Sequence, residues 1–360
     1  MVCHISGHIS VVCMFISFLS KGASFAHYAS VSRAKSLIYL EDASRQKKEM
    51  QAPNSKLRRG LISSIISSIV LDGPAGAHAL EYDDGAIVAE SAVPGAYESA
   101  KMSLPKRSMR LKKTGEIVTV MQGAIEDGPS GGNSTGSVSG RTGVALWNSG
   151  ILLTRLLDEL SCKDRDIFRG KAVLELGCGT AMASIAASKL GAKDIIATDG
   201  NEEVVSLART NLEQNSITNK ASELNTGSGQ AAYLKWGTLN AVDFYDTADL
   251  IIGSDLTYNS GSWGLLAETL ESVLKPNGII IYLTLGHSGF NMAGELGGFL
   301  TLVESRGALE LVKEGSPAWP FPSVPSLDQL LYSSLSSKEK EVVVGTGGFK
   351  VVILKKKKRR

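Results

Sequence analysis

Hydrophobic positions in the central part of the chain fall into short blocks that alternate between two patterns. Residues 173–176 (VLEL) and 194–199 (DIIATD) have the continuous apolar character of strands buried on both faces. Between them, residues 182–190 carry Ala, Ile and Leu at helical spacing and end at Gly191, a residue suited to a helix C-terminus. The same patterns recur and predict further strands at 231–235, 249–253, 278–284, 308–313 and 349–354, and helices at 151–160, 202–214, 265–274 and 292–306.

A glycine turn joins the first of these strands to its helix. Residues 177–180 (GCGT) allow the backbone to approach a ligand at the helix N-terminus, and Asp199 ends the next strand with a carboxylate that can accept hydrogen bonds from ribose hydroxyls. Together these features predict a nucleotide-binding βαβ unit. A dinucleotide site has G-x-G-x-x-G, but residues 180–182 are Thr, Ala and Met, so NAD is disfavoured.

Four short patterns resemble a known enzyme family. Residues 175–180 (ELGCGT) look like motif I of the seven-strand S-adenosylmethionine (AdoMet) methyltransferases, although Ala181 stands where that family often has a third glycine. Residues 143–150 (GVALWNSG), 234–237 (LKWG) and 255–258 (DLTY) are similar to segments of the seven-strand protein-lysine methyltransferases. That group includes the enzymes that modify calmodulin, elongation factor 2 and valosin-containing protein.

The resemblance implies a Rossmann-like α/β fold with a seven-strand, mostly parallel sheet and an antiparallel last strand. It implies AdoMet as cofactor and direct in-line methyl transfer to a lysine of a protein substrate, without a covalent enzyme intermediate. Asp255 and Tyr258 would be catalytic, beside the methyl group. The residues implied to bind the cofactor are Trp147, Glu175, Gly177, Cys178, Gly179, Thr180, Asp199, Gly200, Asn201, Trp236 and Ser254.

Purely structural interpretations remain open for several of these residues. The two tryptophans would be core residues, and Asp255 would cap the following helix with Tyr258 packed beneath it. His287, after a predicted strand, is more often a structural loop residue than a base. For the whole chain the alternatives are a small-molecule methyltransferase, a catalytically inactive AdoMet-binding module and, more remotely, a nicotinamide oxidoreductase.

Amino-acid composition limits the kinds of core and the kinds of binding partner that are expected for this chain. The chain has 360 residues, 43% of them hydrophobic, which is enough to bury a substantial core. Its net charge of +2 gives no general affinity for nucleic acid. The four cysteines have no C-x-x-C spacing, so neither a metal site nor a disulfide framework is indicated. We expect a monomer whose partner is the protein substrate.

Residues 1–79 predict a targeting leader that is removed or disordered. An apolar run at residues 8–19 and a small-residue stretch at 21–26 are typical of a signal peptide, and the positions up to 59 are rich in Ser, Ala, Lys and Arg. The combination is similar to the bipartite plastid leaders of algae with complex plastids. Two arginines at 58–59 followed by Ala-His-Ala at 77–79 resemble a thylakoid lumenal signal. We therefore expect a plastid location, thylakoid-associated or not, with a cytoplasmic location as the alternative and no stable membrane span in the mature chain.

The boundaries of the remaining segments of the chain follow from changes in amino-acid composition. Residues 80–142 predict an N-terminal extension with a hairpin at 110–122 and a Gly/Ser loop at 127–142. Residues 143–354 would form the methyltransferase domain, and residues 355–360 (KKKKRR) a basic tail, for which a solvated segment is the commoner meaning. Residues 316–341 are polar, contain four prolines and lie between the last two predicted strands. In that position they could shape the entrance of the substrate site.

Overall fold

A computed structural model of the chain describes residue 87 and residues 104–123, 142–219, 227–237, 241–286 and 292–357. All of them belong to one of the two compact units into which the chain divides, His78–Arg360. The predicted leader at 1–79, the Gly/Ser loop up to residue 141, His287 and the last three residues of the basic tail lie outside the described residues.

A hairpin precedes the main sheet, and it begins four residues before the predicted range of 110–122. Its strands β1 (Lys106–Arg110) and β2 (Ile117–Met121) pair antiparallel, and Gly115 in the turn has a φ of +74°. Helix α1 (Asn148–Lys163) follows and is longer at both ends than the predicted 151–160. Its leucines are fully buried, as their spacing on one side of the helix predicts.

Seven strands form one sheet in the order β5-β4-β3-β6-β7-β9-β8. Strands β3 to β7 are parallel to one another, and β9 is antiparallel to both β7 and β8, which confirms the predicted fold class. Connecting helices follow the strands, as short apolar strands alternating with amphipathic helices predict. The elements from the first strand of this sheet onward are β3 (Ala172–Leu176), α2 (Met182–Lys189), β4 (Asp194–Asp199), α3 (Glu202–Gln214), β5 (Ser228–Tyr233), β6 (Ala248–Ser254), α4 (Trp263–Val273), β7 (Leu274–Leu285), α5 (Met292–Arg306), β8 (Leu309–Val312), α6 (Leu327–Ser334), α7 (Ser337–Gly345) and β9 (Phe349–Lys356).

The sheet separates two apolar layers. Helices α1, α2 and α3, the hairpin and residues of α6 and α7 pack on one face, whereas α4 and α5 pack on the other. Successive strand residues alternate between the layers: Val173 joins the first layer and Leu174 the second. The continuous apolar strands of the sequence therefore reflect burial on both faces.

Several strand boundaries differ from the sequence prediction, and β7 begins at Leu274, not at 278, so the predicted turn before it belongs to the strand. Strand β5 begins at Ser228, not at 231, because Ser228 pairs with Asp194 and its hydroxyl donates a hydrogen bond of 2.5 Å to that carboxylate. Strand β9 continues to Lys356, two residues beyond the predicted end. Lys355 forms an ion pair with Glu310 on β8 at 3.2 Å, so the first lysines of the predicted basic tail belong to the sheet.

The segment between β8 and β9 is ordered into helices α6 and α7. It returns to the sheet next to the end of β7, where the N–H of Gly286 donates to the carbonyl of Gly348 at 2.7 Å. Among the helices of the described residues, none combines the length and the apolar character that a membrane span requires.

Candidate active site

The order of the strands reverses between β3 and β6. From β3 the chain builds outward through β4 and β5, and it then returns to the other side of β3 to form β6 and β7. The residues just after these two strands, Gly177 and Asp255, therefore stand on opposite sides of a topological switch point. In open α/β sheets this is where the crevice for a ligand forms, at the carboxyl ends of the strands.

The glycine turn, residues 177–180, depends on backbone conformations that favour glycine. Gly177 and Gly179 have φ values of +59° and +51°. The N–H of Cys178 donates to the carbonyl of Thr198 at 2.9 Å, so the turn is anchored to the neighbouring strand. A Cβ on Gly179 would lie 3.1 Å from the carbonyl oxygen of Gly143, which shows how closely the segment before α1 approaches the turn.

The residues at the end of the turn are buried, not open to the crevice. Thr180 is 2% exposed, and Cys178 is buried deeply enough that desolvation raises the pKa of its thiol well above the usual value. Ala181, which caps α2, has a φ of +62° although it is not glycine. Ala181 stands where the methyltransferase motif often has glycine, so alanine here occupies a strained backbone conformation.

Asp199 lies beside the glycine turn with its carboxylate held by backbone groups. One oxygen accepts from the N–H of Gly179 at 3.3 Å, and the other accepts from the N–H of Asn201 at 3.1 Å. Burial raises the pKa of this carboxyl, while the backbone hydrogen bonds, including one from Gly200, oppose that rise. Asn201 also caps α3, since its side chain accepts from the N–H of Glu203 at 2.9 Å.

Glu175 lies on β3 and is 4% exposed. One of its carboxylate oxygens accepts from the backbone N–H of Ser184 at 2.9 Å and from the Ser184 hydroxyl at 2.5 Å. Burial raises the pKa of Glu175 to about 7, and the hydrogen bonds from Ser184 counteract the rise. The contacts of Glu175 therefore connect β3 to the first turn of α2, directly behind the glycine turn.

The two tryptophans of the predicted site are half-buried. The indole N–H of Trp147 donates to the carbonyl of Thr142 at 2.8 Å, within the segment that approaches Gly179. Trp236 packs against the core layer of α4 and α5. The next residue, Gly237, donates its N–H to the hydroxyl of Thr269 on α4 at 2.8 Å. The segment that contains Trp147 therefore contacts the glycine turn, whereas Trp236 contacts the core.

The DLTY loop, residues 255–258, follows Ser254, the last residue of β6. Asp255 has a φ of +50°, and its carboxylate accepts from the N–H of Leu285 at 2.7 Å and from the hydroxyl of Thr284 at 3.2 Å. Tyr258 is 52% exposed, and partial desolvation together with the charge of Asp199 raises the pKa of its phenol. Tyr258 is therefore a neutral phenol at physiological pH. It lies close enough to Asp199 for the charge of that carboxylate to affect its pKa.

Leu256 brings the turn and the loop together. A Cβ on Gly177 would lie 2.6 Å from one methyl group of Leu256, and a Cβ on Gly253 would lie 2.8 Å from the other. The leucine side chain thus fills the space between the ends of β3 and β6. Any side chain at either glycine would displace it.

Several residues that hold the site were not predicted from the sequence. Tyr282 on β7 bonds to the DLTY loop, and Ser184 binds Glu175. Asn211 on α3 accepts from the N–H of Met121 at 2.7 Å and donates to the carbonyl of Thr180 at 3.0 Å, so it connects the hairpin to the glycine turn. The signal that could have identified these residues is that a tyrosine or an asparagine, once buried, needs hydrogen-bond partners.

Within the part of the chain that the structure describes, no cluster of three or more His, Cys, Asp or Glu side chains could hold a metal ion. The polar groups at the switch point suit a nucleoside better. Asp199 offers a carboxylate for hydroxyl groups, and the N–H of Gly179 holds that carboxylate beside the glycine turn. Trp147 supplies an aromatic ring on the adjoining segment.

Sequence comparison with known proteins indicates the same enzyme family. Residues 134–288 match the family model of the lysine methyltransferases. The match covers the glycine turn, Asp199 and the DLTY loop, and it confirms the resemblance seen in the sequence. The hairpin and the strands β8 and β9 lie outside it.

Named relatives share the same region. The chain is 32% identical over 116 residues to a calmodulin-lysine N-methyltransferase of Arabidopsis thaliana, which is 32% of this chain and 36% of that protein. It is 32% identical over 145 residues to the protein-lysine N-methyltransferase EFM3 of Chaetomium thermophilum, 38% of this chain and 40% of that protein. A histidine protein methyltransferase 1 homolog of Bos taurus is 26% identical over 200 residues, 48% of this chain and 52% of that protein. The chain therefore spans about a third to a half of the length of these relatives.

Proposed function

We propose that this chain is an AdoMet-dependent protein-lysine N-methyltransferase that transfers a methyl group directly to a lysine of a protein substrate. The observation that carries the proposal is the pairing of the glycine turn and the DLTY loop on the two sides of the switch point, joined by Leu256. The family match over residues 134–288 supports it. Two of the relatives described above are named for lysine as the acceptor.

The residues around the glycine turn fit AdoMet. Asp199 would accept hydrogen bonds from the ribose hydroxyls, and Trp147 would pack beside the nucleoside. AdoMet, when bound, supplies a methyl group made electrophilic by its attachment to a sulfonium. The protein's part is to bind the two reactants, to orient them and to exclude water.

The DLTY loop would prepare the acceptor amine. A free lysine is almost wholly protonated at neutral pH, with a neutral fraction of roughly one in a few thousand. Asp255 places a carboxylate at the end of β6 that can hold the ammonium group and orient it as the proton leaves to solvent. Tyr258, a neutral phenol, can donate to or accept from the amine at the exposed mouth. Neither residue needs to be a strong base.

Labelling with methyl-tritiated AdoMet tests the proposal. We expect the purified full chain to label a protein in a cell extract, and hydrolysis of that protein to release methylated lysine. Asp255→Asn keeps an oxygen that can accept from Leu285 but removes the charge, so we expect at least about a hundredfold lower rate with unchanged AdoMet affinity by calorimetry.

Asp199→Ala separates cofactor binding from transfer, and we expect it to weaken AdoMet at least about tenfold. Label in small molecules only would favour the small-molecule alternative. AdoMet binding without any transfer would favour the inactive module, and absence of AdoMet binding by the wild type would refute the proposal.

We also propose that the protein acts in a plastid. The support is the pattern of residues 1–79, with its apolar run, small-residue stretch and basic, serine-rich continuation. Fusion of these residues to a fluorescent protein in plastid-bearing cells should place the signal in the plastid. Signal in the cytoplasm would contradict this.

A further inference from the structure

The DLTY loop begins where the regular pairing of β6 ends. Ser254 is the last residue of that strand, and Asp255 turns the chain through a left-handed conformation. The next two backbone N–H groups, of Leu256 and Thr257, are buried and need acceptors. Their acceptor is not a backbone carbonyl but a side chain of the neighbouring strand.

That side chain is Tyr282 of β7, which is 4% exposed. Its phenol oxygen accepts from the N–H of Leu256 at 3.0 Å and from the N–H of Thr257 at 3.2 Å. The same oxygen lies 2.9 Å from the hydroxyl of Thr257. Burial raises the pKa of Tyr282 to about 12, so the phenol keeps its proton at physiological pH.

Strand β7 therefore fixes the loop at several points, which include the carbonyl of Leu283, to which the N–H of Asp255 donates at 2.9 Å, and the hydroxyl of Thr284, which donates to the Asp255 carboxylate. Tyr282 binds the backbone just after Asp255, and the N–H of Leu285 binds the Asp255 carboxylate. Tyr282 is itself held by packing, because its ring meets Phe299 of α5 edge-on with centroids 6.5 Å apart. The phenol oxygen is thus a fixed point, and the loop is shaped around it.

We infer that Tyr282 is a positioning residue for methyl transfer, which holds Asp255 and Tyr258 in their reactive arrangement through two backbone hydrogen bonds. The inference rests on the proposed function. Because a displacement of about 1 Å can lower a rate by about a hundredfold, loss of this anchor would act on the transfer step. The nucleoside contacts at Asp199 would be largely kept, since they belong to another strand.

Tyr282→Phe is the test, because it removes the oxygen and keeps the ring. With AdoMet varied against a fixed cell extract, we expect the maximal labelling rate to fall about tenfold to a hundredfold. The KM for AdoMet should change less than about threefold, and the Tm should fall by about 3 °C. The control is Ser326→Ala, which removes another hydroxyl that accepts a backbone N–H, that of Gln329. It should lower the Tm by a similar amount and leave the rate unchanged.

A second measurement does not need activity. Amide hydrogen exchange at residues 256–257 should be at least about tenfold faster in Tyr282→Phe, with exchange in β3 and β4 unchanged. Faster exchange with an unchanged labelling rate would overturn the positioning role, and so would unchanged exchange. If the wild type transfers no methyl group, the proposed function fails, whereas the exchange result still decides whether Tyr282 holds the loop.

Discussion

The glycine turn and the DLTY loop occupy neighbouring strand ends, but they are held in place differently. The turn is fixed by its own backbone: Gly177 and Gly179 adopt left-handed conformations, and the N–H groups in the turn bind groups at the end of β4. The loop is fixed by the side chain of Tyr282 on β7 and by its own Asp255. The Asp255 carboxylate accepts from the N–H of Leu285, and the Asp255 N–H donates to the carbonyl of Leu283 at 2.9 Å. A third anchor is the indole of Trp263, which donates to the carbonyl of Thr257 at 2.8 Å.

This difference determines which changes each region tolerates. An added methyl group in the turn causes strain and a steric clash, so the turn is sensitive to the size of its residues. In the loop, removal of one hydroxyl or N–H leaves a buried backbone group without a partner, so the loop is sensitive to side-chain chemistry. The predictions below test this contrast, first around the turn and then in the loop.

Gly177→Ala should be the most damaging change in the turn. Its Cβ would meet Leu256 at 2.6 Å, and its φ of +59° is unfavourable for alanine. Strain and overpacking together should lower the free energy of unfolding by about 3 kcal/mol and weaken AdoMet binding. Gly170→Ala is the control, since its φ is +70° but nothing lies within 4 Å of the new Cβ, and it should cost about 1 kcal/mol. Equal losses in urea denaturation would contradict the role of Leu256.

Glu175 should make stability depend on pH. Because burial raises its pKa to about 7 in the folded chain, the folded state binds more protons than the unfolded state above the ordinary pKa of a glutamate. Its contribution is therefore fully present at acid pH and is lost as the pH rises through about 7. Between pH 5 and pH 8 the wild type should lose about 2.5 kcal/mol more than Glu175→Gln.

Urea denaturation at the two pH values measures this difference. The exposed Glu304 offers a control, because Glu304→Gln should follow the wild type. A wild type whose pH dependence equals that of Glu175→Gln would show that Glu175 is ionised throughout.

Ala181→Gly tests the strain at the end of the turn. Glycine relieves the left-handed conformation at φ +62°, which offsets the loss of a buried methyl group and the greater entropy of the unfolded chain. We expect a change of less than about 0.5 kcal/mol. Ala186→Gly in α2, equally buried but helical, should cost about 2 kcal/mol in the same denaturation experiment. Similar costs at both positions would mean that Ala181 is not strained.

Trp263→Phe tests an anchor of the loop. It removes the hydrogen bond to Thr257 and keeps an aromatic ring against Phe299, so stability should fall by about 1 kcal/mol while the methylation rate falls more than AdoMet affinity does. Trp319→Phe is matched to it: that indole donates to the carbonyl of Val324 at 2.7 Å and packs edge-on against Phe321. Trp319→Phe should lower stability by a similar amount and leave the methylation rate unchanged. A rate loss of the same size in both would argue against a special role for the loop anchor.

The sequence predicted the sheet and the turn because both leave local patterns. Asp194–Asp199 and Glu202–Gln214 lie where periodicity places them, and the glycines of the turn mark backbone conformations that other residues rarely adopt. The boundary of β5 was missed because Ser228 is drawn into the sheet by Asp194, a residue 34 positions earlier, and no local pattern encodes that contact.

The roles of individual side chains were decided by the tertiary structure. The sequence identified Asp255 and Tyr258 as a motif, but only the fold shows that their loop is supported by Tyr282, which reads in the sequence as one more apolar strand residue. Likewise, Glu175 lies in the motif of the turn, yet its carboxylate faces Ser184 behind that turn. A chain can specify which of its segments form strands and helices by the order of its residues, because those signals are local. Which buried donor meets which acceptor depends on how the strands are arranged side by side, and that arrangement exists only in the folded protein.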